Sequence, residues 1–245
     1  MFLQSNHSAL ASWMKVIPDS YPVFFNVETT GVGNSDVLTA LSALPASADS
    51  VIFQTFSVAD DKLPKALEFL RLSEEQYRAR VAIDGKGAQE FLRGMSSIAG
   101  KPLLLLSYNA EFQQKFLAQR GILDGLAEEG AVQPIIDFTR LCMCAEQAAR
   151  VPASFEQLLE DVPALTVRKT GYSFKAVLAS FGVPIPDPLL PWHKPALLRD
   201  LMLRAAGIST GPLDASMTIP EIPPARWMDW WARLLQTHGI SQQRM

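Results

Sequence analysis

Few side chains in this sequence are spaced for chemistry, and most fall outside the usual catalytic arrangements. Cys142 and Cys144 are its two cysteines. Their C-x-C spacing supplies at most half of a tetrahedral zinc site, and no third cysteine completes it. The three histidines, His7, His193 and His238, lie far from them in the chain. The pair therefore reads as two small apolar side chains on a helix or turn. Ser8, Ser12 and Ser107 lack the glycine context of a nucleophile elbow, so serine hydrolysis has no support. Gly31-Val32-Gly33 is followed neither by the rest of a dinucleotide fingerprint nor by a lysine, which leaves a phosphate cradle without support. Arg168-Lys169 with Lys175, and Lys194 with Arg199, could border a nucleic-acid groove or be solvated surface. The most informative segment is Glu28-Thr29-Thr30-Gly31, where an acidic side chain and turn chemistry close an apolar run.

The elements that must position these groups are readable from periodicity. Leu10, Trp13, Met14 and Ile17 recur at helical spacing until Pro18 stops them. Residues 21–27 read as a buried strand dense in Val and Phe, and residues 37–44 and 51–58 as two more. Short connections between the three predict an antiparallel meander. A helical turn opens at Leu72-Ser73-Glu74-Glu75. Residues 88–98 carry Phe91, Leu92, Met95 and Ile98 on one helical face. Residues 103–107 form a short apolar strand of the kind buried on both faces. A helix with Phe112, Phe116 and Leu117 follows, ended by Gly121. Residues 134–138 are a second such strand, followed by a helix through Arg150. Ser173 caps a helix that ends at Gly182, and residues 197–206 make the last core helix. The order predicts an α/β fold, with a mixed five-stranded sheet flanked by helices.

Composition bounds the function classes. The chain has 245 residues, 48% hydrophobic and 19% charged, with 22 Lys+Arg against 25 Asp+Glu and a net charge of −3. That apolar fraction offsets chain entropy and excludes a mainly disordered protein. The charge balance excludes a highly basic protein that coats nucleic acid, though not a local cationic groove. The longest purely aliphatic run is residues 103–106, far short of the roughly 20 residues a membrane span needs. The N-terminus has no basic segment ahead of an apolar core, so a soluble, cytoplasmic protein without a membrane partner is expected.

With the elements in place, the motifs can be compared with a known pattern. Phe25-Asn26-Val27-Glu28-Thr29-Thr30-Gly31 resembles the first motif, F-x-D-x-E-T-T-G, of the DEDD (DnaQ-like) 3′–5′ exonuclease superfamily. Tyr108-Asn109-Ala110-Glu111-Phe112-Gln113-Gln114-Lys115-Phe116-Leu117 resembles its second, H-N-A-x-F-D-x-x-F-L. Ile136-Asp137-Phe138-Thr139-Arg140-Leu141 is similar to its D-T-x-x-L strand end. The segment from Ser173-Phe174-Lys175-Ala176-Val177-Leu178 to Gly182-Val183 is similar to its S-L-x-x-L…G-I helix. The third catalytic motif, H-x-x-x-x-D with A-L inside it, has two alignments. One keeps Asp200 and displaces His193; the other, on Ala196-Leu197, puts Lys194 and Arg199 at the catalytic positions.

The resemblance spans about residues 21–207 and implies a ribonuclease H-like sheet of three antiparallel strands plus two parallel ones. It also implies a metal site. In the family pattern two acidic side chains, two apart on one strand, share a face and hold two divalent ions about 3.5–4 Å apart. Here Glu28 matches and Asn26 and Gln113 replace carboxylates. Glu111 sits about 200° around the helix from the Gln113 position and cannot substitute. The implied catalytic residues are Glu28, His193 as general base and Asp200, with Glu28 and Asp200 as Mg²⁺ or Mn²⁺ ligands if the protein is active. The implied substrate contacts are Thr29, Thr30, Asn109 and Phe112.

Two functions are expected from these residues. In the first, the domain is a pseudo-exonuclease that has lost two-metal catalysis and binds nucleic acid or a protein partner. In the second, it is a working metal-dependent exonuclease on single-stranded DNA or RNA ends, with Asn26 an engineered change or with rearranged ligands. Residues 1–20 are expected to be a helix packed on the core, and 208–224 a Pro/Gly/Ser-rich linker. Residues 225–245 read as an amphipathic helix, with Trp227, Trp230, Trp231, Leu234 and Leu235 in one stripe. That helix either packs back on the domain or docks a partner or a second copy.

Overall fold

The computed structural model describes residues 7–46, 51–79, 82–147, 151–166 and 173–205. Its first helix, α1 (His7–Met14), places Leu10 and Trp13 in the core. Three strands follow: β1 (Tyr21–Thr29), β2 (Leu38–Pro45) and β3 (Ile52–Phe56). Then come α2 (Leu63–Leu70), α3 (Glu74–Arg78), β4 (Ala82–Ile83) and α4 (Gly85–Ala99). The second half contains β5 (Leu103–Ser107), α5 (Ala110–Gln119), β6 (Ile136–Asp137) and α6 (Phe138–Gln147). It ends with α7 (Phe155–Thr166), α8 (Phe174–Ser180) and α9 (His193–Ala205).

The sheet order is β4-β3-β2-β1-β5-β6. β1, β2 and β3 pair antiparallel, whereas β5 runs parallel to β1 and β6 parallel to β5. These are the five strands expected of a ribonuclease H-like sheet, in a mixed sheet flanked by helices. The two-residue β4 adds a sixth at the edge, parallel to β3, which the sequence reading did not anticipate.

Alternation along β1 divides the core. Val23, Phe25 and Val27 pack with Leu41, Leu105, Phe91 and Phe116 on the face covered by α4 and α5. Phe24 points the other way, into a second cluster with Phe138, Leu178, Leu197 and Leu201. Asn26 and Glu28 follow Phe24 at period two, so both belong to the α9 side of the sheet.

The helices differ from expectation in three places. α2 was not foreseen, although Pro64 suits its first turn and Arg71 ends it in a left-handed conformation. α7 was also missed; Ser154 accepts from the Gln157 N–H at 3.2 Å, a cap visible in the sequence as S-x-x-Q. α9 begins at His193 rather than at residue 197, because Pro195 sits in a first turn whose N–H groups need no helical partner. The turn before it is anchored by Trp192, which packs edge-on to Phe53 at 5.4 Å, and by Ser42 Oγ, which donates to Pro191 O at 3.5 Å. The expected linker, the Trp-bearing helix with its docking role, and Arg168-Lys169 lie outside the described residues. Among the described residues no helix is long and apolar enough to cross a membrane.

Candidate functional site

β1 and β5 are parallel, so their carboxyl ends open at one edge of the sheet, where α/β proteins commonly bind ligands. Here the first two resembling motifs meet. Asn26 is 3% exposed, and its Nδ2 donates to Glu28 Oε1 at 2.8 Å. Gln113, on the first turns of α5, is 2% exposed. Its Nε2 donates to Tyr108 O at 2.7 Å and to Asn26 Oδ1 at 3.4 Å. Gln113 Oε1 is buried with no hydrogen-bond partner. Asn26 therefore links the two, with Gln113 on one side of its amide and Glu28 on the other.

The group that α9 brings to Glu28 is Lys194. Its Nζ lies 2.5 Å from Glu28 Oε1, with side-chain exposures of 25% and 13%. Glu28 Oε1 thus receives hydrogens from an ammonium and an amide. Of the two alignments of the third motif, the one on Ala196-Leu197 is the one whose residue reaches the acid. The solvated-surface reading of Lys194 is corrected by the same contact. The signal lay in the sequence, but the early start of α9 was needed to use it.

His193 does not reach Glu28. It is 1% exposed, and its Nδ1 accepts from the Leu190 N–H at 3.2 Å, which leaves the proton on Nε2. That Nε2 is buried without a hydrogen-bond partner, and burial lowers the imidazole pKa. A ring so enclosed is poorly placed to take a proton from a water at the strand ends. Asp200 lies two turns further along α9, 6% exposed, and its charged neighbours are Arg199 and Arg204. Burial raises its pKa, and the two arginines only partly oppose this.

The threonines serve the turn. Thr29 Oγ1 donates to Gly31 O at 2.5 Å. Thr30, fully buried, donates to Asp36 Oδ1 at 2.9 Å and accepts from the Val37 N–H at 3.0 Å. Asp36 also accepts from the Gly33 N–H at 2.7 Å and from Lys65 at 3.1 Å, and these donors lower its pKa, Gly33 most. A Cβ at Gly31 would stand 2.6 Å from the Asp36 carboxylate, which is why that position is glycine. The substrate role expected of the Thr30 side chain is therefore closed, since its hydroxyl is spent inside the protein. Asn109 stands at φ 56° ahead of α5, and its side chain does not cap the helix. Phe112 packs on Phe116 with ring centroids 4.9 Å apart.

On the other side of α5 is a cleft of about 400 Å³ lined by Glu111, Gln114, Ile135, Asp137, Arg140 and Leu158. Glu111 faces this cleft, away from Gln113, as the helical angle required. Asp137 is engaged at its rim: Oδ1 accepts from Thr139 Oγ1 at 2.7 Å and from the Arg140 N–H at 3.0 Å. The missed helix α7 forms one wall, so the cleft could not be foreseen. Cys142 and Cys144 are buried thiols, and burial pushes Cys144 up to about 11.

A divalent metal pair does not fit these residues. Two divalent ions need several oxygen ligands with open lone pairs and enough negative charge to balance them, yet Glu28 Oε1 at the end of β1 already accepts from Lys194 and Asn26. Among the described residues no three His, Cys, Asp or Glu side chains gather closely enough to hold a metal ion. Compared with protein-family models and with curated proteins, the sequence matches none.

Proposed function

We propose that the chain is a diverged exonuclease-like domain, of the DEDD type its motifs resemble. On this reading it has lost two-metal hydrolysis and acts by binding the 3′ end of single-stranded nucleic acid. The observation that carries the reading is the state of Glu28. Two-metal chemistry needs several carboxylates to offset the ions' charge and to generate hydroxide. At this strand end one carboxylate is present, and its Oε1 is held by an ammonium and an amide. The neighbouring Gln113 and Asn26 are uncharged.

Binding is supported by what surrounds this network. The corner lies at the carboxyl ends of parallel strands, Lys194 keeps a quarter of its side chain exposed, and the Asn109 side chain is not used as a helix cap. An ammonium and an amide suit a phosphate oxygen and a sugar or base edge.

The test uses the full chain and a fluorescently 3′-labelled single strand. Anisotropy in EDTA should report binding that weakens with added salt, and incubation with Mg²⁺ or Mn²⁺ should leave the label attached. Metal-dependent loss of the 3′ nucleotide, abolished by Glu28→Ala, would establish an active exonuclease instead. No anisotropy change at any salt would remove nucleic acid as the ligand.

A further inference from the structure

We propose that the Lys194 ammonium is a built-in cation that occupies Glu28 and bars divalent metal from this corner of the sheet. The direction of the hydrogen bonds supports this. Gln113 donates to Asn26, Asn26 donates to Glu28, and Lys194 donates to the same Glu28 oxygen. Asn26 and Lys194 both direct hydrogens at Glu28 Oε1, so hydrogens point where a metal would have to sit. Tyr108 O, accepting from the second Gln113 hydrogen, holds that amide in its orientation.

Charge leads to the same result. Glu28 and Lys194 sum to zero, and Asn26 and Gln113 add nothing. A divalent ion brought here would meet a fixed positive charge 2.5 Å from the Glu28 carboxylate. The replacements are mutually compensating: amides remove repulsion around Glu28, and the lysine supplies the positive charge that an ion would otherwise bring. Lys194 is held in place because the turn before α9 is fixed by Trp192 on Phe53 and Pro191 on Ser42.

Calorimetric titration of the full chain with MnCl₂, together with the loss of free Mn²⁺ signal by electron spin resonance, tests this. Four proteins are compared: the unaltered chain, Lys194→Met, Asn26→Asp/Gln113→Asp, and the triple variant combining all three substitutions. Methionine keeps the unbranched stem and removes the charge. The expected result is no Mn²⁺ binding by the unaltered chain and at least tenfold tighter binding by the triple than by the double variant. Equal affinity of double and triple variants would overturn the proposal. So would Mn²⁺ binding by the unaltered chain that Glu28→Gln abolishes. If circular dichroism shows that the double variant does not fold, the comparison rests on Lys194→Met. That variant should bind Mn²⁺ at least tenfold more tightly than the unaltered chain and lose the gain on adding Glu28→Gln; equal affinities overturn the proposal. No nucleic acid enters these measurements, so a failure to bind single strands leaves the outcome unaffected.

Discussion

Breaking the Glu28–Lys194 pair should cost measurable stability, and the structure sets the scale. The charges meet at 2.5 Å with 13% and 25% of the side chains exposed. Two unit charges about 4 Å apart attract by about 4 kcal/mol at an effective dielectric of 20. Desolvation and side-chain ordering offset most of that. Exposed pairs retain about 0.2–1 kcal/mol, whereas breaking a buried pair by removing one partner costs about 3–5 kcal/mol. A pair shielded to this degree falls between, with a coupling of about 1–2 kcal/mol. Urea unfolding of the unaltered chain, Lys194→Met, Glu28→Gln and the double variant closes the cycle that isolates this term. Each single variant should also lower Tm by roughly 2–8 °C, taking about 2–4 °C per kcal/mol for a chain of this size. The coupling should largely survive high salt, because a shielded pair is screened less than an exposed one. A coupling within about 0.3 kcal/mol of zero would refute the reasoning, since it would mean that the ammonium does not hold Glu28 in solution.

Four further sites have expected outcomes. The raised pKa of Asp200 means the fold favours its neutral form, so its contribution is fully present below the ordinary value of 3.8 and lost as pH rises through the folded pKa. Asp200→Asn should therefore unfold at higher urea than the unaltered chain at pH 7, with the difference vanishing in acid; a destabilised variant at pH 7 would contradict this. His193 has a lowered pKa, so its contribution is present above its ordinary value of 6.5 and lost as pH falls through the folded pKa. His193→Leu should flatten stability against pH in that window, and an unchanged slope would show that the ring is not enclosed. Gly85→Ala would place a Cβ 2.0 Å from Arg120 O, so chemical denaturation should show a loss of about 1–3 kcal/mol, and no loss would mean α4 starts elsewhere. Phe24→Ala, beneath Asn26 and edge-on to Phe138 at 6.4 Å, should cost about 3–5 kcal/mol by the same measurement.

Much of the sheet was legible because buried strands announce themselves. The Val and Phe density of residues 21–27 and the four leucines at residues 103–106 leave few alternatives to central strands. Elements stabilised by tertiary contact were not. β4 is two residues long and exists only because β3 lies alongside it. α7 has a sequence-visible cap at Ser154 but needs α6 to bury its apolar face. Pro195 is compatible with a first turn, which puts the start of α9 at His193 rather than at the expected residue 197.

At the candidate site the division is sharper. Residue types alone determine that Asn26 and Gln113 carry no charge, that Glu28 and Asn26 share a strand face, and that Glu111 points away from Gln113. Those consequences depend on covalent chemistry and on the local period of a strand or helix, so one chain segment suffices to derive them. Which residue of the third motif meets Glu28 is a different kind of question. His193 and Lys194 are neighbours in the chain and differ by about 100° around a helix. The choice between them was made by Trp192 seated on Phe53, by Pro191 tied to Ser42 and by the Leu190 N–H on the imidazole. The first two of those contacts join β2 and β3 to the turn before α9 across more than a hundred residues, and packing over such separations leaves no local periodicity to read.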